Sequence, residues 1–375
     1  MEIIHLILGK ANPARMNGVN KVVYQLATHQ ALHGRSVQIW GITDTPEDQN
    51  FGERNFKTRL FKASSNPFGI HQSLRKALYE NRKRIVVHLH GGWIPRYATL
   101  VRLLVRWKIP YVITPHGAYN TEAMKRSFLL KRIYFQLAER YVLRHASRIH
   151  CIGASEVDGL NSIFKASNVS LLPYGFTPGE VSTKKSDHRS RMVIGFVGRL
   201  DVYTKGLDLL LDALAAISDM DIEVWIIGDG PERARFESMI RNRNLEHIVV
   251  CQGSKFGSEK EEWMSKMNVF VHPSRNEGLP SAVLEAASLG IPCLISEATN
   301  LGSFVRTFNA GFVIKTNDAD ELQSALEKIS TLHAERLLPA LGENARRMVE
   351  KAFNWKTVVN NFDSLYQYDS HVSAV

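Results

Sequence analysis

Residues 269–296, VFVHPSRNEGLPSAVLEAASLGIPCLIS, combine groups that could bind a phosphate with groups that could bind hydroxyls. The run predicts a strand ending at Ser274, a loop carrying Glu277 and Gly278, and a helix starting near Pro280, since proline is favoured in a first helical turn. A glycine lets a ligand approach the main chain, and the free amides at a helix start suit a phosphate. The segment therefore predicts that a diphosphate docks at this turn.

Two carboxylates of this segment indicate a second kind of group on the same ligand. Glu277 and Glu285 would repel a phosphate, but ionised carboxylates accept hydrogen bonds well from hydroxyls. A ligand with phosphates and many hydroxyls meets both requirements, and nucleotide sugars are such ligands. Taken alone, Glu285 would be interpreted as a solvated helix residue. Glu277 and the Gly-Leu-Pro turn favour the binding interpretation.

Two cations follow an earlier predicted strand, in GFVGRLDVYTKGLDLLL. Arg199 comes directly after the strand and Lys205 stands at the entrance to the next helix, so the two could flank a diphosphate leaving group. Taken singly, each is more often an ordinary surface cation. Ligands of open parallel sheets bind beyond the carboxyl ends of the strands. Other residues at such ends are Asn17, Gly18, His116, Gly198, Gly228 and Gly230.

The elements that must position these residues alternate between short β-branched runs and amphipathic stretches, the pattern of parallel sheets covered by helices. The runs that predict strands are EIIHLIL, SVQIWGI, RIVVHLH, PYVITP, SRIHCI and VSLLPY, then MVIGFVG, IEVWIIG, HIVVCQG, VFVHPS, PCLIS and GFVI. Between the two series, a segment rich in Pro, Gly, Ser and charge predicts a linker. The residues from 352 to about 368 predict one more helix. The expected fold class is α/β, with two doubly wound domains.

The expected divisions of the chain are 1–178 for the first domain, on the acceptor side, 179–191 for the linker, 192–351 for the second domain, which binds the nucleotide sugar, and 352–375 for the C-terminal helix. A chain of 375 residues, 44% hydrophobic, is long enough for two such domains. No run reaches the ~18 apolar residues of a spanning helix, and no secretory signal is evident. The expectation is a soluble, cytoplasmic protein.

The net charge of +10 indicates a polyanionic partner, for which nucleic acid, anionic lipid and phosphorylated substrates all qualify. The three cysteines are odd in number and form no CxxC pair, which favours reduced thiols over a zinc or disulfide site. His88 and His90 share one strand face at a spacing that a metal could use, but no third ligand is obvious. We therefore expect no metal.

With these motifs together, the chain resembles the retaining glycosyltransferases of family 4, which have the GT-B fold of two Rossmann-like domains facing across a cleft. The resemblance covers nearly the whole chain. It is strongest at GRLDVYTKG, IGDGP and HPSRNEGLPSAVLEAASLGIP, where the two glutamates stand at the family's E-x7-E spacing. It implies that the C-terminal helix returns to the first domain and that catalysis needs no metal.

Carried over residue by residue, the resemblance implies that Arg199 and Lys205 hold the donor diphosphate and that Glu277 binds hydroxyls of the donor sugar. Glu285 would bind the ribose. Backbone amides of Gly278 and Leu279 would face the sugar and phosphate, with Gly198, Gly228 and Gly230 at the neighbouring strand ends.

In the first domain, the resemblance implies that Gly18 lines the diphosphate and that His116 lies near the donor sugar. The chain departs from the family at Asn17-Gly18, where Gly-Gly is usual, and at LLPYGFTP and CQGS, which replace a Pro-Asn-Gly turn and a Phe-x-Gly. On the residues alone, His116 would be an unremarkable histidine at a strand end.

Other activities fit these residues less well. A nicotinamide oxidoreductase would suit twin Rossmann-like halves, but Arg233 stands where a third glycine should follow Gly228 and Gly230. No P-loop motif is present. A phosphorylase would need a pyridoxal-binding lysine and a longer chain. A nucleotide-sugar 2-epimerase, a soluble small-molecule glycosyltransferase and a binding protein that kept only the fold stay open as alternatives.

The expected function is transfer of a hexose or N-acetylhexosamine to a lipid-linked glycan in capsule, lipopolysaccharide or exopolysaccharide synthesis, with no nucleic-acid partner. Family frequency favours a UDP-sugar donor, and GDP-mannose comes second; no cofactor is expected. Residues 125–148, KRSFLLKRIYFQLAERYVLRHASR, interleave apolar and basic side chains, as a helix lying on anionic headgroups does. Attachment to the inner membrane face and a packed helix with a solvated basic face are both open.

Overall fold

The computed structural model describes residues 1–12, 18–48, 51–125, 127–179, 191–315 and 317–367. It divides into two compact units. The first unit consists of Met1–Gly175 together with Trp355–Val375, and the second unit consists of Phe176–Asn354. The linker predicted at 179–191 lies outside the described residues except at its two ends.

The first unit contains a seven-stranded parallel sheet. Its strands are β1 (Glu2–Leu8), β2 (Val37–Thr43), β3 (Lys57–Lys62), β4 (Ile85–His90), β5 (Tyr111–Thr114), β6 (Arg148–Cys151) and β7 (Val169–Leu171). The order across the sheet is β3-β2-β1-β4-β5-β6-β7. Its helices are α1 (Gly18–Leu32), α2 (Gln72–Asn81), α3 (Pro95–Arg106), α4 (Thr121–Lys125), α5 (Phe128–Tyr134), a π-helical turn (Phe135–Glu139), α6 (Arg140–Arg144) and α7 (Ala154–Asn161).

The second unit repeats this design with six parallel strands. They are β8 (Met192–Val197), β9 (Ile222–Ile227), β10 (Val249–Gly253), β11 (Val269–His272), β12 (Cys293–Ser296) and β13 (Gly311–Ile314), in the order β10-β9-β8-β11-β12-β13. Its helices are α8 (Leu207–Ala216), α9 (Arg233–Arg241), α10 (Gly257–Met264), α11 (Ser281–Ser288), α12 (Gly302–Phe308), α13 (Ala319–Ala334) and α14 (Leu338–Ala352).

Every residue of β4 and β8 is buried, because helices cover both faces of each sheet. Such strands read as continuous apolar runs, which is why the sequence predicted them well. In each sheet the chain proceeds outward in both directions from two central neighbours, β1 with β4 and β8 with β11. The loops after these neighbours diverge and leave a crevice, the place where doubly wound folds bind ligands.

Strand β3 was missed by the sequence analysis. Its sequence KTRLFK has three cations, and all of its residues but one are at least partly exposed on the sheet edge beside β2. Edge strands carry charge because charge discourages pairing with other chains, and that charge hides the apolar signal. The sheet is therefore one strand wider than the six runs indicated.

The C-terminal helix α15 (Trp355–Tyr366) belongs to the first unit, which confirms its predicted return. The Trp355 ring stacks on His29 with centroids 4.4 Å apart, and Arg35 pairs with Asp363 at 2.5 Å. The helix begins three residues later than predicted, because Ala352 is the last residue of α14.

Candidate functional site

The predicted anion-binding residues of the second unit lie in the loops after β8 and β11, the strands beside its crevice. Lys205 Nζ lies 2.5 Å from Glu277 Oε1, and the two side chains keep only 18% and 13% of their exposure. The same oxygen accepts hydrogen bonds from His272 Nε2 at 2.9 Å and Ser274 Oγ at 3.0 Å. The structure thus brings together the cation and the carboxylate that the sequence assigned separately.

The surroundings of Glu277 keep its carboxylate ionised. Burial alone would raise the pKa of Glu277, but the hydrogen bond and charge of His272 and the charge of Lys205 outweigh burial and lower that pKa to about 2. An ionised carboxylate only accepts hydrogen bonds. Glu277 therefore suits hydroxyl binding and cannot donate a proton at neutral pH.

Arg275 joins the two loops and was missed by the sequence analysis. Its guanidinium contacts both carboxylate oxygens of Asp208, at 2.7 and 2.8 Å, and donates to the Tyr203 carbonyl at 2.7 Å. Its main-chain amide donates to the Thr204 carbonyl at 2.9 Å. A bidentate guanidinium–carboxylate pair fixes both distance and orientation. Arg275 therefore holds the turn before Lys205 against the loop that carries Glu277.

Arg199 is the more open of the two predicted cations. Its side chain is 67% exposed and lies 3.1 Å from Asp201. Asp201 in turn accepts the Thr204 amide at 3.1 Å and so shapes the turn that leads to Lys205. Arg199 and Lys205 consequently stand at the two ends of one turn, Arg199 open to solvent and Lys205 held by Glu277.

Glycines allow this turn to fit against its neighbours. Gly206 has φ +67°, and a Cβ atom there would lie 2.2 Å from the Pro273 carbonyl oxygen. A Cβ on Gly228 would lie 1.9 Å from the Gly198 carbonyl oxygen, and one on Gly230 would lie 2.5 Å from that of Leu200. Close backbone packing alone therefore explains why positions 228 and 230 are glycine. It does not depend on a role of these residues in donor binding.

The start of α11 lies beside Glu277. Pro280 is the cap residue and the helix begins at Ser281. A Cβ atom on Gly278 would meet no atom within 4 Å, whereas Leu279 packs on the core. The side-chain amide of Asn300 donates to the carbonyls of Glu277 at 2.8 Å and of Gly278 at 2.9 Å. Open space next to a carboxylate at a helix start fits the ligand inferred from the sequence.

Glu285 lies on α11, half-buried, and pairs with Lys260 of α10 at 2.6 Å. The second glutamate of the E-x7-E pair therefore already has a cation beside it. His272, Ser274 and Arg275 all lie inside the motif HPSRNEGLPSAVLEAASLGIP. Three residues outside that motif gave no signal, because only the fold brings them near: Asp208, which pairs with Arg275, Asn300, which donates to the Glu277 and Gly278 carbonyls, and Lys260, which pairs with Glu285.

The predicted first-unit residues have different settings. Gly18 is the first residue of α1, where a Cβ atom would meet no atom within 4 Å, and Asn17 lies outside the described residues. His116 follows β5 with φ +56°, a region that non-glycine residues rarely adopt. Its Nε2 lies 2.9 Å from His90 Nδ1, and its ring stacks on Tyr174. Burial, with the charge of His150 second, lowers the pKa of His116 to about 3.

The structure corrects the expectation that His88 and His90 lack a third ligand. His5 of β1 joins them, with ring nitrogens of all three within 4.8 Å of one another. Each of their six nitrogens, however, already has a hydrogen-bond partner in the protein: His5 with His90 and Gln30, His88 with Tyr366 and Thr114, and His90 with His5 and His116. A metal would have to displace these bonds, so hydrogen bonding accounts for the cluster.

The predicted amphipathic segment is helical from Phe128 to Arg144, through α5, the π-helical turn and α6. Arg126 and the side chain of Lys125 lie outside what the structure describes. One face packs inward with Phe135, Val142 and Leu143. The other face exposes large apolar side chains at 53–73%, which we call the exposed apolar face: Phe128, Leu129, Leu130, Ile133 and Leu137. No helix in the described ranges could cross a membrane.

Solved structures show the class of fold. A crystal structure of the Anabaena protein HepE in complex with UDP and glucose matches with a TM-score of 0.71 at 16% identity, over 98% of this chain and 99% of that one. Together with two doubly wound units and a C-terminal helix that returns to the first, this likeness defines the GT-B fold.

Sequence comparison gives the family. The family model described as "Glycosyl transferases group 1" matches residues 180–352, and the "Glycosyl transferase 4-like domain" model matches residues 17–175. The chain therefore belongs to the group 1 glycosyltransferases, and it is a glycosyltransferase.

Two curated relatives cover most of the chain. An uncharacterized glycosyltransferase of Methanocaldococcus jannaschii is 26% identical over 292 residues, which are 78% of each chain. The UDP-Gal:alpha-D-GlcNAc-diphosphoundecaprenol alpha-1,3-galactosyltransferase of Escherichia coli is 25% identical over 325 residues, which are 82% of this chain and 80% of that one. A third relative is named for polysaccharide synthesis: the capsular polysaccharide biosynthesis glycosyltransferase CapM of Staphylococcus aureus, 24% identical over 223 residues, which are 55% of this chain and 57% of that one.

Proposed function

We propose that this enzyme moves a hexose or N-acetylhexosamine from a nucleotide-diphosphate sugar to a lipid-linked glycan, with retention of the donor's anomeric configuration. The observation that carries the proposal is the Lys205–Glu277 pair at the crevice of the second unit. There a cation for the diphosphate and an ionised acceptor for sugar hydroxyls share one site, beside the open space at Gly278 and the helix start after Pro280.

The proposed reaction breaks the bond between the sugar's anomeric carbon and a phosphate oxygen. Negative charge grows on the leaving diphosphate, and Lys205 with Arg199 stabilises it without requiring a metal ion. The acceptor hydroxyl attacks the same face of the sugar, its oxygen bonds to the anomeric carbon, and its proton passes to the departing phosphate oxygen. This same-face path retains the configuration.

Glu277 supports a mechanism without a protein nucleophile. A carboxylate whose pKa is held at about 2 and whose Oε1 receives three donors is a weak nucleophile and a weak base. A double displacement would need a carboxylate free to attack the anomeric carbon. Glu277 is better placed to hold sugar hydroxyls while Lys205 meets the diphosphate.

The nature of donor and acceptor rests on relatives. The Escherichia coli relative uses UDP-galactose and an acceptor linked to diphosphoundecaprenol, according to its name, and the HepE structure contains UDP and glucose. By analogy we propose a UDP-sugar donor and a polyprenyl-diphosphate acceptor, with no cofactor, Glu285 on the ribose and His116 near the sugar.

The decisive experiment is transfer from a panel of nucleotide sugars. Thermal-shift screening selects the donor, and incubation with polyprenyl-diphosphate glycans then yields a product whose anomeric configuration is read by NMR. We expect a retained linkage and nucleotide release that depends on the acceptor. Donor incubated alone tests the epimerase alternative: an altered sugar without acceptor would overturn the proposal, as would an inverted product.

We also propose that the exposed apolar face rests on an anionic lipid surface at the cytoplasmic side of the membrane, close to such an acceptor. Contiguous exposed apolar side chains usually mark an interaction site. Exposed Arg132, Arg140 and Arg144 lie among them, and the chain carries a net charge of +10. Each cation near an anionic surface contributes about 1 kcal/mol. These charges favour lipid over an apolar protein partner.

Sedimentation with vesicles tests the membrane proposal. We expect binding to phosphatidylglycerol-containing vesicles at low salt, weaker binding as salt rises, and little binding to neutral vesicles. Leu129→Glu with Leu137→Glu should abolish binding, whereas Leu337→Glu, at an exposed leucine of the second unit, should not. A protein that stays in the supernatant at low salt would show that this face has another role.

A further inference from the structure

The first unit contains a buried, unbroken series of hydrogen-bonded side chains, which we call the histidine chain. It runs from His116 to the main-chain carbonyl of Leu172 and includes five histidines: His5, His88, His90, His116 and His150. We propose that the histidine chain fixes one tautomer of His116, with Nδ1 unprotonated, so that His116 accepts a hydrogen bond from a substrate hydroxyl. The tautomer follows from the first unit alone, whereas the substrate rests on the proposed function.

The direction of the hydrogen bonds is set at the Leu172 end. A carbonyl oxygen only accepts, so His150 Nε2, 2.8 Å from the Leu172 oxygen, must carry the proton. In a neutral ring His150 Nδ1 is then an acceptor. It lies 2.7 Å from Thr114 Oγ1, which has one proton and must give it to His150. Thr114 therefore accepts from His88 Nε2, 2.6 Å away.

The same elimination continues through the middle of the chain. Since His88 carries its proton on Nε2, its Nδ1 accepts from the Tyr366 hydroxyl at 2.9 Å. Tyr366, having donated its proton, accepts from the Gln30 side-chain amide at 3.2 Å. The oxygen and nitrogen of a side-chain amide are hard to tell apart from their positions alone. Here the need for a donor to Tyr366 identifies the Gln30 nitrogen, so the other atom, which faces His5, is the oxygen Oε1.

The last three rings then have no choice of tautomer. Gln30 Oε1 accepts from His5 Nε2 at 2.6 Å, so His5 Nδ1 accepts from His90 Nε2 at 2.9 Å. His90 Nδ1 in turn accepts from His116 Nε2 at 2.9 Å. His116, with its proton on Nε2, is left with an unprotonated Nδ1.

The assignment of the protons holds only if every ring is neutral, and burial keeps the rings neutral. His5, His88, His90 and His150 are at most 2% exposed. Each of these rings has one neighbour that accepts a hydrogen bond and one that donates. A doubly protonated ring has two N–H donors, so one of them would be buried without an acceptor, which is energetically costly. Burial accordingly lowers the pKa of His5 and of His150 to about 4 and that of His90 well below its usual range.

The ring of His116 is also held in place. It stacks on Tyr174 with centroids 5.8 Å apart and an interplanar angle of 8°. The residue keeps its left-handed backbone conformation while the next amide, of Gly117, donates to Glu156 at 2.6 Å. Non-glycine residues in this region carry strain that the surroundings must sustain, as at many functional sites. His116 is thus fixed in backbone, ring plane and tautomer.

A consequence for specificity follows. His116 Nδ1 accepts from a hydroxyl or an amide N–H of a substrate and repels a carboxylate or carbonyl oxygen placed at the same point. Substrates with a hydroxyl there are therefore preferred over analogues oxidised to the acid. His90, His5 and Gln30 are positioning residues, because they act only through His116.

Nitrogen-15 NMR of the histidine side chains in the whole protein tests the tautomer directly. At neutral pH we expect His116 Nδ1 in the range of an unprotonated ring nitrogen and Nε2 in the range of a protonated one. Assignment uses the loss of signals in His116→Gln. A protonated Nδ1 in the wild-type protein would overturn the inference whether or not the enzyme transfers sugar.

Two variants test whether the histidine chain positions the proton of His116 or only stabilises the fold. Gln30→Glu offers only acceptors, so Tyr366 should donate to the new carboxylate, and His88 should gain a proton on Nδ1 while it keeps the Nε2 proton that Thr114 accepts. His116 should keep its Nε2 proton. His90→Leu removes the acceptor of His116 Nε2, so both tautomers of His116 should be populated and the KM for UDP-glucose should rise about twofold, because only the tautomer with an unprotonated Nδ1 can accept the substrate's hydrogen bond. His145→Leu, an exposed histidine of the same unit bonded only to its own helix, serves as the control.

The readouts distinguish failure of the inference from failure of the proposed function. If the protein binds no nucleotide sugar, the NMR result still decides the tautomer. If it binds and transfers UDP-glucose while His90→Leu leaves both the tautomer of His116 and the KM unchanged, the histidine chain does not position His116. Should His90→Leu not fold, the wild-type and Gln30→Glu spectra remain decisive.

Discussion

At the scale of single residues, Glu277 holds Lys205, the cation that we propose to act in catalysis, in one position. A buried ion pair contributes little net stability, because desolvation offsets the Coulomb attraction, but removal of one partner leaves a costly unpaired charge. The pair holds Lys205 in one position before the donor arrives. We infer that the diphosphate then competes with Glu277 for Lys205. Glu277 would in turn accept hydrogen bonds from sugar hydroxyls.

Alanine variants of the two cations test this role. Lys205→Ala and Arg199→Ala should each lower kcat about a hundredfold, since loss of one group that stabilises the leaving charge typically costs ~3 kcal/mol. Lys266→Ala removes a half-exposed lysine whose partner Glu262 lies one helical turn away, and should leave kcat unchanged. Near-normal turnover of both cation variants at saturating donor would refute the mechanism.

The pKa of Glu277 predicts a pH window. Its pKa in the folded protein, about 2, lies below its usual value of 4.5, so ionisation favours folding above pH 4.5 and this stabilisation is lost as the pH falls toward 2. The difference in unfolding free energy between wild type and Glu277→Gln should therefore be largest above pH 4.5, at about 3 kcal/mol. Denaturant unfolding at several pH values measures it; a difference independent of pH would contradict the assignment.

At the scale of elements, two loops from neighbouring strands form the site because glycine and arginine hold them together. Gly206 permits a close approach to Pro273 that any side chain would prevent, and Arg275 reaches from one loop to Asp208 at the start of α8. The geometry of the candidate site thus depends on a pair of loops. Neither loop contains it alone.

A matched pair of glycine variants separates the two uses of glycine. Gly206→Ala should destabilise the second unit by about 3 kcal/mol, because it adds a left-handed alanine and a contact with backbone. Gly278→Ala, where a Cβ meets no atom within 4 Å, should leave stability within about 0.5 kcal/mol of wild type and weaken donor binding. Thermal unfolding and donor titration measure both effects. Unchanged donor affinity in Gly278→Ala would argue against a ligand at that turn.

At the scale of the whole molecule, the two units should respond to acid in different ranges. The histidine chain consists of rings whose pKa values are lowered by burial, to about 4 for His5 and His150 and to about 3 for His116. In the unfolded chain these rings take up protons below pH 6.5. The first unit should therefore lose stability as the pH falls from 6.5 toward 4, whereas Glu277 of the second unit responds only below 4.5.

Glu156 opposes this trend within the first unit. Burial raises its pKa to about 7, so its stabilisation is full below pH 4.5 and declines as the pH rises to 7. Burial also raises the pKa of Glu139, so two carboxyls oppose five histidine rings, and the effect of the histidines is the larger. Native-state hydrogen exchange from pH 7 to pH 4 should show protection falling first in β1, β4 and β5. Equal loss in both sheets would contradict the prediction.

The sequence by itself determined the two series of buried strands, the helix at the C-terminus and the segments that bear Arg199, Lys205, Glu277 and Glu285. These features are local: continuous apolar runs, a cap proline and a glycine turn depend on neighbours within a few residues. The family followed from the same short motifs. The edge strand β3 was not predicted, because the charged residues of an exposed edge strand hide its apolar pattern.

Only the tertiary structure decided which distant residues meet. Asp208 lies 67 positions from its partner Arg275, and His5 lies 85 positions from His90. Spacing in the chain carries no information about such contacts, because the order of strands in each sheet sets them. The sequence showed His116 as one histidine at a strand end; folding joined it to four others and so determined where its proton lies.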